Sequence, residues 1–516
     1  MSLKRGVLTS TGLNLLDHTV KAASVFILSP LMLRGLGKEA YGVWQVLMSV
    51  FGYFYLVDLG LTVSSSRFAA RALGARDHEK WMDVLGACCR FYLRAGWVVF
   101  GLSCAIAGGA FFLAPGQGWS GPLLSAIALV YGLVSAVRFW TKPYGAALRS
   151  RLRYDLIALP AIARTVVQMG LLYALVASGH VGIGMIGLTM AACELGEVLV
   201  GAIISARVLR LPWSTLLAAT HRPQIPHIRQ EMNSHARASF LTAVGMNLRS
   251  RVDPVVVRAF AGWEMVAVYS VGARFVQMFE DIINALLGGP LLSAFSRIEG
   301  SGDKSRLVEA FHFTTAVGIF GSMAIGGGLV IFSPDFIERW MGADFRESAT
   351  LLAILVPGYV LRLSQYSALN VFHSLGRPDF IARLTFFGGV FNIVVSVIVT
   401  WMIGPRGVAW GTTIELTLAA LAVMPWLVSR LTGLSPWKYL GLVLGQTVQW
   451  LVPLAIYGEL IRPWLRPDYG RLFLLGAGYG AVMAGWFWLV MLRRDERRML
   501  LNILRRTPAV VPDLPS

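Results

Sequence analysis

Apolar residues run along this chain in blocks of about twenty, enough for a helix to cross a hydrocarbon core at 1.5 Å per residue. Fourteen blocks are centred near 12–33, 42–63, 91–113, 123–143, 156–178, 183–206, 237–259, 266–290, 311–332, 350–372, 382–403, 408–429, 440–460 and 472–491. The pattern predicts an all-α polytopic membrane protein of about 14 transmembrane helices. The eighth block, Val266 to Pro290, carries a polar line. Ser270, Arg274, Gln277, Asp281 and Asn284 fall within roughly 80° of one another at 100° per residue, with Tyr269 and Glu280 the only other polar side chains of size. A charge at mid-bilayer costs about 2.5–3.5 kcal/mol on insertion scales, so this face should meet protein or water rather than lipid. Arg274 and Asp281 lie about 10 Å apart along the axis, too far for a direct ion pair. Each needs a partner from elsewhere, and the line predicts a polar cavity inside a helical bundle.

The blocks repeat. Leu148 to Ala158 matches Phe372 to Ala382 at an offset of 224, which also aligns Arg138 with Arg362. Near 225, Leu36-Gly37-Lys38-Glu39-Ala40-Tyr41 meets Ala261-Gly262-Trp263-Glu264-Met265-Val266, and Gly179 and Gly182 meet Gly404 and Gly407. Gly74 and Asp77 meet Gly300 and Asp303 one residue further on. Each copy holds six helices, an even number, so both insert in the same orientation, as parallel pseudo-repeats. The expected organisation is a six-helix lobe over 1–210, a cytoplasmic linker over 211–235 and a second lobe over 236–432. Two added helices over 433–492 and a basic cytoplasmic tail over 493–516 follow.

Composition agrees: 56% of the 516 residues are hydrophobic, mean hydropathy is +0.62, and 14% are charged against about 25% in soluble proteins. The net charge of +18 has a topological origin. With the N-terminus inside, Lys and Arg favour the inner loops and tails by about three to one, which places both termini in the cytoplasm of an inner (plasma) membrane protein. That charge meets anionic headgroups; no soluble basic domain suggests nucleic acid. Cys88, Cys89, Cys104 and Cys193 lack metal-ligand spacing and read as small core residues. Asp17, His18 and Lys21 interrupt the first apolar stretch, which reads as a retained helix rather than a signal peptide.

Further polar lines cross other blocks. Asn14, Asp17, Lys21 and Ser24 share a face of the first, beside His18. In the seventh, Arg249 and Asp253 stand one turn apart, as do Asn247 and Arg251. Arg362, Gln365, Tyr366, Asn370 and His373 line the tenth, after an expected kink at Pro357-Gly358. Asp58, Arg138, Arg164, Glu194, Glu197 and Glu415 also sit in apolar runs. Structural readings stand beside functional ones: Asp17 with Lys21 as an interfacial pair, Arg249 with Asp253 as an ion pair, Arg138 snorkelling to the inner face, His18 and His373 as interfacial residues. Gly182-Ile183-Gly184-Met185-Ile186-Gly187 matches G-x-G-x-x-G but opens a membrane helix with no preceding strand. No Walker loop, H-E-x-x-H or metal-type carboxylate cluster occurs. The outer loops are short, Ser333 to Ser348 being among the longest, and leave no room for a catalytic outer domain.

Leu36-Gly37, Tyr41-Gly42, Asp58-Leu59-Gly60 with Arg67, Asp253-Pro254 with Tyr269, and Gly376-Arg377-Pro378-Asp379 together carry a resemblance. Over about residues 1–430 the chain resembles the polysaccharide transporter, or O-antigen flippase-like, branch of the multidrug/oligosaccharidyl-lipid/polysaccharide (MOP) exporter superfamily. The resemblance implies MATE-like lobes forming a V-shaped cavity with a cationic lining. It also implies flipping of a polyprenyl-(pyro)phosphate-linked glycan from the inner to the outer leaflet, for lipopolysaccharide or other surface-polysaccharide biosynthesis. A hydrated anionic headgroup needs a wet, positive path, for which Arg274, Arg362, Arg249, Arg251 and Lys21 are the expected residues, with Gln277 and Asn284. Without a nucleotide site the energy must come from a gradient, the membrane potential or substrate flux. Asp281, Glu280, Asp253 and Asp17 are candidates for coupling to H+ or Na+. No other cofactor or metal and no enzymatic activity is expected; partners are the glycan lipid, membrane lipids and other polysaccharide-assembly proteins. The alternatives are a cation-coupled multidrug antiporter of the same superfamily, a membrane-bound glycan polymerase or transferase, and an inactive scaffold.

Overall fold

The computed structural model describes residues 3–116, 118–151, 153–179, 181–221, 240–249, 251–300, 304–374, 378–433, 435–492 and 497. Most of the expected linker, the basic tail beyond 492 (apart from Arg497), Asp303 and Gly376-Arg377 lie outside the described residues. Among the described residues the chain is helical throughout, with no strand beyond one isolated bridge between Gly116 and Trp119. The helices are α1 (Leu3–Gly52), α2 (Leu61–Gly74), α3 (His78–Phe111), α4 (Gly121–Ser150), α5 (Asp155–Ala177), α6 (Ile183–Leu209), α7 (Trp213–Ala219) and α8 (240–249). Then come α9 (Asp253–Gly300), α10 (Lys304–Met341), α11 (Arg346–Ser364), α12 (Tyr366–Ser374), α13 (Pro378–Ile403), α14 (Gly407–Leu418), α15 (Met424–Thr432), α16 (Pro436–Ile461) and α17 (Tyr469–Trp486).

Among the described residues, twelve segments are long and apolar enough to cross a membrane. Two of them, Thr19–Asp58 and Phe240–Leu287, run 40 and 48 residues. As straight helices these would extend about 60 and 70 Å, twice a hydrocarbon core of about 30 Å. Each contains one glycine outside helical geometry. Gly37 has φ 77°, ψ 170° and Gly262 φ 83°, ψ 178°, a region that only glycine enters without strain. Two breaks in twelve segments reconcile the fourteen apolar blocks with the observed helices.

The two glycines are also the repeat in three dimensions, since they stand 225 residues apart and adopt the same conformation. Gly179 and Gly404, again 225 apart, share φ values of 72° and 79°. The duplication is therefore written in the backbone as well as in the side chains.

Contacts divide the chain into two compact units, Met1–Ser270 with Asp379–Val408, and Val271–Pro378 with Ala409–Ser516. In the first, α3 and α4 pack along their length, with Gly96 and Gly132 giving way to Trp140 and Ser103. Gly245 and Gly389 let α8 and α13 approach to backbone contact. In the second, α10 packs on α11, and α16 and α17 lie against α10 through Tyr479, whose hydroxyl donates to the Ala324 carbonyl at 2.8 Å.

Two expectations are corrected. The polar segment 333–348 is not a sixteen-residue loop. α10 continues through Pro334 to Met341, leaving Gly342 and the turn Ala343–Phe345, because Glu338 and Arg346 pair at 2.6 Å and hold the helix end. The tenth predicted helix runs unbroken through Pro357-Gly358, where Gly358 admits the backbone of Thr413, and ends at Ser364 instead. Of the cysteines, Cys88 and Cys89 are buried as expected, whereas Cys104 is exposed.

Replacing Gly262 with alanine should destabilise the protein by about 1–3 kcal/mol through backbone strain alone, since no atom lies near the added Cβ. Gly74→Ala, in open space at a helical position, should be neutral. Thermal unfolding of both variants in detergent checks the contrast, and equal midpoints would reject it.

Candidate functional site

In the second unit, the polar line of the eighth block folds as one face of α9 and splits along its length. Glu280 and Asn284 fall on one edge, Arg274 and Asp281 on the other, with Gln277 between them. The first edge is tied to α11 and α12 by three rungs. Arg362 Nη1 donates to Glu280 Oε1 at 2.8 Å, the Tyr366 hydroxyl donates to Asn284 Oδ1, and Asn370 Nδ2 donates to the Leu287 carbonyl at 3.4 Å. Both rung series advance by about one helical turn, so the two polar lines expected from sequence meet side by side.

The break between α11 and α12 keeps the rungs in register. Gln365 leaves the helical region at φ −97°, ψ 20°, and its side chain is fixed on both ends. Nε2 donates to the Ala420 carbonyl at 2.9 Å, and the buried Tyr439 hydroxyl donates to Oε1 at 3.2 Å.

The second edge is left open. Arg274 is half-buried, and among the described residues it forms no hydrogen bond or ion pair. Gln277 is exposed and equally without a partner, while Asp281 is exposed and has interactions of its own. Arg274 therefore differs from Arg362, whose charge Glu280 already compensates. A planar guanidinium with five donors and no internal acceptor suits a phosphate or carboxylate.

The first unit places the remaining predicted residues. Lys21 and Asp17 pair at 2.6 Å on α1, the interfacial i, i+4 arrangement. Arg249 is buried, and Asp253, also buried, accepts the Tyr269 hydroxyl. Arg251 Nε donates to Asn247 Oδ1 at 2.7 Å, its carbonyl accepts from Ser49 at 2.6 Å, and its guanidinium lies over Gly52, where any Cβ would collide with it.

Two charge networks in this unit go beyond the sequence reading. Arg138 does not snorkel. It bridges Glu194 at 2.8 Å and Glu197 at 3.4 Å on α6, and Arg164 joins Glu197 at 2.9 Å. Two carboxylates one turn apart gave these arginines closer partners than the headgroups. The second network was missed: Asp58, 1% exposed, receives Lys142 Nζ at 2.5 Å, the Tyr92 hydroxyl at 2.9 Å and Thr62 Oγ1 at 2.7 Å. Lys142 stood at the margin of its apolar block, and its only signal was the flanking aromatics. Phe139, at 4.2 Å from Nζ to the ring centre, now covers it.

Among the described residues no group of three or more His, Cys, Asp or Glu is placed to hold a metal ion. The observed chemistry is that of charges matched in pairs, with Arg274 the exception on the α9 face. Glu280→Ala should cost about 3 kcal/mol by leaving Arg362 unmatched, the low end for a buried pair because both side chains are 21–25% exposed. Glu280→Ala with Arg362→Met should recover most of that loss. Additive losses in thermal unfolding would show that the pair does not couple.

The family described as polysaccharide biosynthesis protein matches residues 97–350. The uncharacterized membrane protein EpsK of Bacillus subtilis is 22% identical over 95% of this chain and 96% of its own length. The probable low-salt glycan biosynthesis flippase Agl15 of Haloferax volcanii is 19% identical over 42% of this chain and 46% of its own. Among solved structures, an inward-facing MATE family multidrug resistance transporter of the MOP superfamily superposes with a TM-score of 0.68 at 19% identity, over 80% of this chain and 96% of that one. The lipid II flippase MurJ, in an inward closed conformation, gives 0.66 at 14% identity over 93% of this chain and all of the other. The chain has the MOP-superfamily fold, and its likeness to the polysaccharide-transporter branch rests on a family match and sequence relatives as well as on motifs.

Proposed function

We propose that this protein is a flippase that moves a lipid-(pyro)phosphate-linked oligosaccharide from the inner to the outer leaflet by alternating access. The observation that carries the reading is the unpaired, half-buried guanidinium of Arg274 on a membrane-spanning helix whose neighbouring charges are matched. An uncompensated charge inside an apolar helix is costly and is retained where it serves a pathway. An anionic headgroup supplies the missing acceptor, and Gln277 beside it offers donors to sugar hydroxyls.

The polysaccharide biosynthesis family match and the flippase names of Agl15 and MurJ support a lipid-linked glycan as cargo. Arg362, Arg249, Arg251 and Lys21 are the further cationic candidates, each already engaged within the protein, and Asn284 is held on the packing edge by Tyr366. Asp281, Glu280, Asp253 and Asp17 are the carboxylates through which H+ or Na+ would couple, and both termini face the cytoplasm. A multidrug antiporter would bring cations to Arg274, which disfavours that use of the same fold.

Arg274→Ala should abolish flipping of a lipid-diphosphate oligosaccharide in proteoliposomes while the protein still assembles, and Arg274→Lys should keep part of the rate, since the charge persists without the guanidinium fork. Unchanged flipping by Arg274→Ala would remove this residue from the path.

A further inference from the structure

A second site lies in the first unit, away from any residue used above. A cavity of about 490 Å³ opens between the turn that follows α1, α3 and α8, within the range of small-ligand pockets. Leu56, Val57, Phe91, Val98 and Phe240 line it with carbon, and Arg94 is its one polar side chain.

After Gly52 the first segment tightens into a 3-10 turn, Tyr53–Asp58, and then leaves helical geometry altogether, with Leu59 at φ 50° and Gly60 at φ 72°. The turn meets α3 through Asp58, which accepts the Tyr92 hydroxyl at 2.9 Å, and Leu56 and Val57 of the same turn face the groove.

Arg94 is exposed at the mouth and forms no hydrogen bond or ion pair among the described residues. The nearest carboxylate in sequence to the lining, Asp58, is committed to Lys142, Tyr92 and Thr62. The preceding turns of α3 carry His78, Glu79, Lys80, Asp83 and Arg90, and the apolar run begins after them. Arg94 thus stands at headgroup level, with Val98 about 6 Å deeper along the axis.

We infer that this groove binds an anionic phospholipid, one acyl chain lying along Val57 and Val98 and the phosphate on Arg94. The carbon walls give water no partner and favour a hydrocarbon chain. The guanidinium selects phosphate. A headgroup of sugars would need further polar partners, and the lining has none, so the occupant is a simple membrane lipid rather than a transported glycan lipid.

The test uses the full-length protein in detergent with a photoactivatable acyl-chain phosphatidylglycerol, against the matching phosphatidylcholine. Phosphatidylglycerol should crosslink to the 56–59 and 91–98 peptides, with roughly fivefold preference over phosphatidylcholine, the weight of one interfacial charge. Arg94→Gln should erase the preference and Arg94→Lys should retain it. Val98→Trp, which fills the groove, should reduce labelling by both lipids. Equal labelling by the two lipids in the wild type, unchanged preference in Arg94→Gln, or displacement of the probe by a lipid-diphosphate oligosaccharide but not by unlabelled phosphatidylglycerol would each overturn the assignment.

Discussion

A charge inside a bundle of apolar helices must be matched, and this requirement arranges most of the polar interior. Asp58 holds Lys142, Glu194 and Glu197 hold Arg138 and Arg164, Asp17 holds Lys21, and Glu280 holds Arg362. All but the Asp17–Lys21 pair, which lies along one helix, join separate helices or turns. Breaking such a pair by removing one partner strands the other, which is why these contacts fix register more than they add net stability. Arg274 stands out because the same helix that supplies Glu280 supplies no partner for it.

The backbone tells a parallel story about duplication. Gly37 and Gly262 adopt the same glycine-only conformation and divide a long apolar segment in each copy at a kink. The charged residues do not follow the duplication. Arg138 and Arg362 occupy matching positions, yet one is bound by carboxylates of α6 and the other by a carboxylate of α9. A shared scaffold with divergent polar interiors leaves room for one copy to carry a site that the other lacks.

Much of this was legible in the sequence. Block length gave the spans, and the repeat aligned Gly37 with Gly262, the two positions at which the structure leaves helical geometry. The site was legible only in outline. Periodicity found the α9 face and singled out Arg274, but it could not say which of the flanking polar residues would be taken up by packing. The structure shows that Glu280 and Asn284 serve the packing edge, which leaves Arg274 and Gln277 open. Lys142 was hidden because hydropathy places a lysine at the edge of a block, whereas three aromatic rings and Asp58 draw it inward. Local pattern cannot report partners 84 residues away.

In the proposed function, headgroup charge is the basis of recognition and Arg274 is the proposed anion site. The most direct measurement is transport by the wild-type protein in proteoliposomes of one oligosaccharide carried on two lipids, a polyprenyl diphosphate and a neutral polyprenyl ether. Access of an external glycosidase to the sugar reports flipping. The account predicts protein-dependent exposure of the diphosphate-linked glycan and none above empty liposomes for the neutral one. Equal exposure of both would contradict it.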